Sequence, residues 1–354
     1  MTNEFEQRKK DHIRLAMSEE TQGLTSNQFS KISLHHNALP EIRFSDVTLQ
    51  AHLLNHTFSS PHFISSMTAG HEDSFDINLR LALAAQDRNW LMAVGSQRRE
   101  LTDPNAVSEW KEIRKKAPDA KLLSNIGILE VIQNPVESIV QLTENLNAIG
   151  LYIHLNPLQE VFQKNNHIDF SHGLKAIETV VKKIKVPVLV KEVGFGISAD
   201  LVKKLIDIGV YAVDVSGNGG THWGYIEALR HNEDAVERNA IAAFADWGSS
   251  TIDCLLACQQ YVLFHPILAS GGIRNGVESA KCLALGARAV GLAQPIMKAA
   301  MGANIAIANT NNSDTAEILK VMDVFDFQLK VAMFCSGIKR PEDFLHKKVW
   351  QCLN

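Results

Sequence analysis

The 354-residue sequence lacks the features that mark several specialised protein classes. Its five cysteines are odd in number and scattered, unlike the paired framework of a disulfide-rich secreted protein. Lys and Arg total 35 against 39 for Asp and Glu, so no basic excess favours nucleic acid as a partner. No apolar run reaches the length of a membrane span, and the charged first residues are not a secretory signal. These absences predict a reduced, cytoplasmic protein that binds neither nucleic acid nor membrane.

Eight short apolar runs recur from residue 63 onward, and each ends in polar residues or glycine. Uninterrupted apolar runs are typical of parallel strands that are buried on both faces. Helical patterns lie between them, such as the apolar stripe of Asp200–Val210. Eight alternations favour a (β/α)8 TIM barrel over a six-stranded doubly wound sheet. The runs are 63–70, 91–97, 122–127, 151–156, 187–196, 211–220, 267–272 and 289–295.

The chain is expected to have three parts. Residues 1–62 form an N-terminal arm and lead-in, 63–305 form the barrel, and 306–354 form C-terminal helices that pack on it. The long gap from Thr221 to Pro266 is expected to hold an insertion over the carboxyl-terminal face of the barrel. Residues 306–350 are predicted to be helical.

The last two runs predict a phosphate site. Gly271 and Gly272 close the seventh run, and Ala293 and Gln294 close the eighth. Glycines after a strand and the N-terminus of the next helix present N–H groups to phosphate. In TIM barrels this site lies in the loops after strands 7 and 8. A glycine pair can also be only a tight turn, so the prediction depends on the rest of the chain.

Charged residues near other strand ends suggest anion chemistry. Lys191 interrupts an apolar run, and a buried ammonium is costly unless it meets an anion. It would stabilise negative charge on a reduced flavin or a substrate, unless it reaches solvent between helices. Glu160 is a candidate Mg²⁺ ligand or an exposed loop glutamate. Arg8 and Lys9, with Arg98, suit a diphosphate, although the arm could be a solvated tail.

Nine segments in a fixed order resemble one enzyme family along nearly the whole chain. The family is the type 2 isopentenyl-diphosphate isomerases, FMN-dependent (β/α)8 enzymes. The segments are RKKDH (8–12), SSMTAG (65–70), GSQR (95–98), SNIG (124–127), HLNPLQE (154–160), VLVKEVGFG (188–196), DVSGNGGTHW (214–223), ASGGIR (269–274) and GLAQP (291–295).

The resemblance implies roles for individual residues. The implied catalytic residues are Lys191, Gln159 and His154, and the implied Mg²⁺ ligand is Glu160. The substrate-binding residues would be Arg8, Lys9, Ser96, Gln97, Arg98, His154, Asn156 and Gln159. The FMN contacts would be Ser66, Met67, Thr68, Ser96, Asn125, Lys191, Ser216, Thr221, Gly271, Gly272, Arg274, Ala293 and Gln294.

The resemblance also implies an activity and partners. Isopentenyl and dimethylallyl diphosphate would be interconverted in isoprenoid biosynthesis without net redox change, by a homotetramer or homooctamer. We hypothesise that reduced FMN moves the proton, since no acid and base pair stands out in the sequence, and that NADPH keeps the flavin reduced. Two residues depart from the family pattern, Ala69 where glycine is common and His222 where a small residue is common.

Two other functions remain possible at this point. An FMN-dependent oxidoreductase of the 2-hydroxy-acid oxidase type needs a histidine base and an arginine pair near strand 7. His265 is the nearby histidine, but it lies at the start of that run and so at the wrong end. A non-catalytic flavin-binding barrel would require neither Glu160 nor the additional cationic residues.

Overall fold

A computed structural model describes residues 11–23, 28–68, 72–163, 168–230, 235–306 and 315–353. Eight parallel strands form a closed barrel, each beside its neighbour in the chain, and the last pairs with the first. This confirms the predicted (β/α)8 barrel. The barrel strands are β4 (His62–Ile64), β5 (Leu91–Ala93), β6 (Lys121–Gly127), β7 (Gly150–Leu155), β8 (Val188–Glu192), β9 (Ala212–Asp214), β10 (Ile267–Ala269) and β11 (Ala289–Leu292).

Helices surround the barrel and cover its mouth. They are α1 (residues 11–16), α2 (Glu72–Arg88), α3 (Pro104–Lys116), α4 (Ile128–Gln133), α5 (Val136–Leu146), α6 (Pro157–Phe162), α7 (Gly173–Lys183), α8 (Ala199–Asp207), α9 (Trp223–Arg230), α10 (Ala235–Ile241), α11 (Thr251–Ala257), α12 (Gly276–Ala284), α13 (Gln294–Ala306) and α14 (Ala316–Cys335). The 3₁₀ turns are Glu19–Thr21, Gln28–Lys31, Phe44–Asp46, Gln97–Leu101, Ala242–Phe244 and Pro341–Leu345. Among these helices none is long and apolar enough to cross a membrane.

Helix α8 shows how local sequence sets an element. Ser198 caps its first turn by accepting a hydrogen bond from the Leu201 N–H at 3.3 Å. Val202 and Leu205 of its apolar stripe are fully buried against the barrel. Gly209 follows with a φ of 87°, a left-handed conformation that ends helices and suits glycine. The sequence-based expectation for this helix is therefore confirmed to within a few residues.

The inside of the barrel has an apolar floor and a polar mouth. Side chains alternate along each strand, so Tyr152 and His154 both point inward, as do Leu189 and Lys191. The floor is a buried apolar cluster built from the lower inward positions, including Phe63, Leu91, Leu123, Tyr152, Leu189 and Leu268. The upper inward positions are polar and line a cavity.

A hairpin closes the floor from the amino-terminal end. Its strands are β2 (Ala51–Leu53) and β3 (His56–Phe58), and they pair antiparallel. Leu53, Leu54 and Phe58 belong to the same buried cluster as the floor. The Leu54 N–H donates to the Tyr211 hydroxyl at 2.8 Å, which fixes the hairpin to the barrel.

The C-terminal segment is only partly helical, contrary to the prediction for residues 306–350. Helix α14 is followed by a 3₁₀ turn and by β12 (Trp350–Cys352), which pairs antiparallel with β1 (Ile32–Leu34) near the other end of the chain. Asp326 of α14 accepts hydrogen bonds from Ser60 at 2.6 Å and from His62 Nδ1 at 2.8 Å. These contacts hold the C-terminal helix against the first barrel strand.

Candidate functional site

One cavity at the carboxyl-terminal mouth collects residues from every barrel strand end. Arg8 and Lys9 lie outside the described residues, as does Ala69. Every other predicted site residue lines this cavity except Gln97. The lining includes Ser66, Met67, Thr68, Ser96, Arg98, Asn125, His154, Asn156, Gln159, Glu160, Lys191, Ser216, Thr221, Gly271, Gly272, Arg274, Ala293 and Gln294.

Gln97 has a different place from the one that the sequence suggested. Its side chain is 1% exposed and is directed into the barrel wall. Its Oε1 accepts hydrogen bonds from the Ser124 hydroxyl and from the Asn125 N–H, the latter at 3.1 Å. Its Nε2 donates to Glu100 at 2.8 Å. Gln97 therefore supports Asn125, whose side chain does line the cavity, and a direct contact of Gln97 with substrate stays a prediction.

The predicted phosphate-binding segment forms a backbone cradle. Gly271 and Gly272 have φ values of 97° and 76°, which L-residues with a side chain rarely adopt. A Cβ at Gly220 would lie 2.9 Å from the Gly272 nitrogen, so the two glycine loops can approach only without side chains. Gln294 begins α13 beside them, where the first N–H groups of a helix have no partner within the helix. Such a cradle fits the phosphate of FMN.

The arm reaches this cradle from outside. Arg274 donates from Nη2 to Gln22 Oε1 at 3.1 Å, and Gln294 donates from Nε2 to the Ala16 carbonyl at 3.2 Å. The Gly23 N–H donates to the Gly220 carbonyl at 2.6 Å. The end of α1 and the residues after it are thus held by the same loops that form the cradle.

The space beside the cradle suits a flat polar ring. A Cβ at Gly291 would lie 2.6 Å from Phe63 Cζ, so glycine keeps this wall open above the floor. The hydroxyls of Ser65 and Ser66 are buried and have no hydrogen-bond partner among the described residues. Buried polar atoms are normally paired. Both residues line the cavity, so a ligand with hydrogen-bonding edges, such as the isoalloxazine ring of FMN, fits the site.

Lys191 lies at the mouth, not in the helix layer. It pairs in register with His154 on β7 and with Asp214 on β9, so three polar side chains face the same cavity. Burial lowers the pKa of the Lys191 ammonium, whereas the carboxylates of Asp214 and Glu192 raise it. Burial raises the pKa of Asp214, while Lys191 and hydrogen bonds from Ser270 at 2.9 Å oppose that change.

Glu160 is buried, which excludes the alternative of an exposed loop glutamate. It is 5% exposed and lines the cavity in the first turn of α6. Asn156 donates from Nδ2 to Glu160 Oε1 at 2.8 Å. The described part of the chain contains no cluster of three or more metal-ligating side chains. A single carboxylate suits Mg²⁺, which usually takes water and substrate phosphate for its other ligands.

A functional residue that was not predicted is Glu227, a fully buried carboxylate in α9. It accepts hydrogen bonds from Gln159 Nε2 at 3.0 Å and from Arg230 Nη1 at 2.6 Å, and it lies 2.9 Å from His12 Nε2. Burial acts to raise the pKa of Glu227, but His12, Gln159 and Arg230 lower it to about 2. The pair Glu227 and Arg230 has the spacing of an ordinary surface ion pair, so the sequence carried no sign of its burial.

Two further contacts orient predicted substrate residues. Arg98 forms an ion pair with Glu130 through Nε at 2.9 Å. His154 Nδ1 lies 3.1 Å from Asn125 Oδ1, and since the amide oxygen only accepts, Nδ1 carries the proton. A Cβ at Gly127 would lie 3.2 Å from His154 Nε2, so glycine leaves room for this imidazole.

Comparisons with known proteins give a family model and several relatives that share one name. A family model described as FMN-dependent dehydrogenase matches residues 129–351. An isopentenyl-diphosphate delta-isomerase of Bdellovibrio bacteriovorus is 44% identical and covers 99% of both chains. Proteins of the same name from Legionella pneumophila and Oceanobacillus iheyensis are 42% and 36% identical. The alignment with the Legionella protein covers 98% of both chains. The alignment with the Oceanobacillus protein covers 97% of this chain and 95% of that protein.

Solved structures with a similar barrel are more distant in sequence. A mandelate oxidase variant with a monooxide FMN adduct aligns with a TM-score of 0.63 at 15% identity, covering 99% of this chain and 96% of its own. A flavocytochrome b2 variant with benzoylformate gives a TM-score of 0.65 at 16% identity, covering 96% and 78%. At such identities these likenesses concern the fold alone.

Proposed function

The chain belongs to the type 2 isopentenyl-diphosphate delta-isomerases, and we propose that its barrel mouth performs this isomerisation with reduced FMN and Mg²⁺. One observation carries the proposal. A glycine cradle suited to phosphate and a buried carboxylate suited to Mg²⁺ line the same cavity, with Lys191 between strands that bear His154 and Asp214. A barrel that only bound a flavin would not require Glu160 in that lining.

FMN would be held at both of its ends. Its phosphate would lie on Gly271, Gly272 and the start of α13, with Arg274 nearby. The Ser66 hydroxyl, Thr68 and Asn125 would meet the polar edges of the ring. Reduced FMN supplies the proton-transferring group that an unactivated alkene needs. Lys191 would hold a positive charge beside the ring and so favour its anionic form.

The diphosphate would be held by charge around the cavity rim. Glu160 would bind Mg²⁺, and Arg98 would donate from its terminal amino groups, since its Nε is engaged by Glu130. Arg8 and Lys9 would add positive charge from the arm. Gln159 and His154 would position the five-carbon end, and binding energy from the diphosphate would orient it for reaction.

The remaining elements of the proposal concern supply and assembly. NADPH would serve as the reductant that keeps FMN reduced. We propose that the enzyme acts in the cytoplasm, in isoprenoid biosynthesis, as a homotetramer or homooctamer.

Among the described residues, no histidine lies where the oxidoreductase alternative would need its base. His265 immediately precedes Pro266 and β10, so it lies at the amino-terminal end of that strand, away from the mouth. Within the described ranges, the histidines that line the cavity are His12 and His154, neither of them on β10.

An anaerobic assay tests the proposal. Isopentenyl diphosphate is added to the FMN-loaded protein with or without Mg²⁺ and dithionite, and dimethylallyl diphosphate is followed. We expect product only when both Mg²⁺ and reduced flavin are present. Absence of product, together with flavin reduction by a 2-hydroxy acid such as lactate, would instead support the oxidoreductase.

A further inference from the structure

His222 lies directly before α9, and its imidazole has two defined partners. It follows Thr221, which lines the cavity, and it directly precedes α9. The Tyr225 N–H donates to His222 Nδ1 at 3.1 Å, and His222 Nε2 lies 2.9 Å from the Phe244 carbonyl oxygen. A carbonyl only accepts, so Nε2 carries the proton and Nδ1 is a bare acceptor. The ring is neutral in this arrangement.

The Nδ1 contact makes His222 the N-terminal cap of α9. The first N–H groups of a helix have no partner within it, and a side-chain acceptor just before the helix normally supplies one. Ser, Thr, Asp and Asn are the usual residues in that place because their short side chains reach the third N–H. Here Tyr225 is the third residue of the helix, and imidazole replaces the short side chain.

The Nε2 contact adds a link that a short capping residue cannot make. Phe244 ends the 3₁₀ turn Ala242–Phe244 in the insertion after α10. The imidazole also packs edge-to-face against Phe195 and Tyr225, with ring centroids 4.9 and 4.6 Å apart. One buried ring therefore joins α9, the 3₁₀ turn Ala242–Phe244 and the loop after β8.

The backbone around His222 connects the same point to the arm. Its N–H donates to the Thr21 carbonyl at 2.7 Å. The neighbouring Trp223 packs edge-on against His12 of α1 at 5.4 Å. Four residues further along α9 is Glu227, which accepts the hydrogen bond from Gln159. The position of α9 thus sets the position of a residue in the cavity wall.

We propose that the neutral imidazole of His222 is a positioning residue for the isomerisation, because it fixes α9 to the 3₁₀ turn Ala242–Phe244 and thereby holds Gln159 in place through Glu227. The expected effect on kcat rests on the proposed function, whereas the expected effect on the position of α9 does not.

Protonation would undo the arrangement. A proton on Nδ1 removes the acceptor for the Tyr225 N–H and places a positive charge at the positive end of the α9 dipole. Burial lowers the pKa of His222, so the ring is neutral at physiological pH and becomes charged only in more acidic solution. The titratable and charged groups on the elements packed around it are His12, Glu19, Glu20, Glu160, Glu192, Glu227, Arg230, Glu237, Arg238 and Asp246.

Two substitutions separate capping from charge. His222→Asn keeps a capping oxygen and cannot titrate, whereas His222→Ala has no cap. We expect kcat of the wild-type enzyme to fall in acid, and this acid limb to be absent from the His222→Asn profile. At pH 7.5 His222→Ala should lower kcat about tenfold or more, as loss of a cap and of side-chain placement implies, and its difference from the wild type should narrow in acid, where the wild-type imidazole is charged. His265→Asn is the matched control, since His265 is also partly buried but lies away from the mouth.

Hydrogen exchange gives a readout that needs no substrate. In the FMN-loaded protein at pH 7.5, the amides of residues 223–230 and 242–247 should exchange faster in His222→Ala than in the wild type. In the wild type these amides should lose protection only when the pH is below the pKa of His222. Unchanged exchange in His222→Ala, or an acid limb retained by His222→Asn, would overturn the proposal. If the wild-type protein makes no dimethylallyl diphosphate, the proposed function fails, while the exchange data still decide the role of His222.

Discussion

Replacing Glu227 by glutamine tests whether the buried carboxylate organises the cavity wall. The substitution keeps the shape and one acceptor oxygen but removes the charge that faces His12 and Arg230. The amide NH₂ group that replaces the second carboxylate oxygen can only donate. One of the groups that now donate to Glu227 therefore loses its acceptor. We expect lower stability and slower turnover, because Gln159 depends on the same oxygen as His12.

The expected change in the free energy of unfolding follows from the pKa of Glu227. The pKa of Glu227 falls from the ordinary 4.5 to about 2. Each pKa unit corresponds to about 1.4 kcal/mol, so the ionised form contributes at most about 3 kcal/mol to the free energy of unfolding. A carboxyl group whose pKa is lowered by folding stabilises the folded state at pH values above its pKa in the unfolded chain. The contribution is therefore complete above about pH 4.5 and is lost as the pH falls towards 2.

Urea unfolding of both proteins measures this difference. At pH 7 Glu227→Gln should be less stable by about 2–3 kcal/mol, and the gap should narrow as the pH is lowered below 4.5. Glu178→Gln on α7 is the matched control, since Glu178 also pairs with two cations, Lys175 and Lys182, but on the exposed surface. Equal losses in the two variants, or a gap that does not depend on pH, would refute the reasoning.

Three other substitutions test the cavity itself. Glu160→Gln should weaken the response of the rate to Mg²⁺ at least tenfold, and an unchanged Mg²⁺ titration would remove Glu160 as the ligand. Lys191→Ala should weaken FMN binding or stop turnover, and an active variant that retains flavin through gel filtration would contradict the role of the ammonium. Gly291→Ala would place a methyl group 2.6 Å from Phe63 Cζ. It should cost about 1–3 kcal/mol in unfolding and reduce FMN affinity measured by fluorescence titration; normal flavin affinity would show that the ring does not use this wall.

The barrel could be predicted from sequence because each strand carries its own signal. Uninterrupted apolar runs such as 187–196 indicate burial on both faces, and the polar residue inside a run marks the inward side of the mouth. Lys191 is the example: its neighbours Val190 and Glu192 face outward while it lines the cavity. The glycine loop after β10 was also predictable, since it requires only the backbone geometry of Gly271 and Gly272, and phosphate binding there stays a prediction.

What the sequence could not provide depends on long-range contacts. Gln97 follows a strand end as Ser96 and Arg98 do, and only the packed structure shows that its amide turns into the wall. Glu227 has the pattern of a helix surface residue and is buried by the arm and α6. The pairing of β1 with β12 joins residues more than 300 positions apart, where three-residue strands have no pattern of their own.

The hairpin of β2 and β3 closes the barrel at the end opposite the cavity mouth. Since Leu53, Leu54 and Phe58 seal the floor, whatever occupies the deepest part of the cavity has to enter past the rim. The arm lies across that rim, with Gly23 bonded to Gly220 and Ala16 bonded to Gln294. Any ligand of the cavity therefore enters and leaves on the side where the arm lies, so the position of the arm controls access to the whole site.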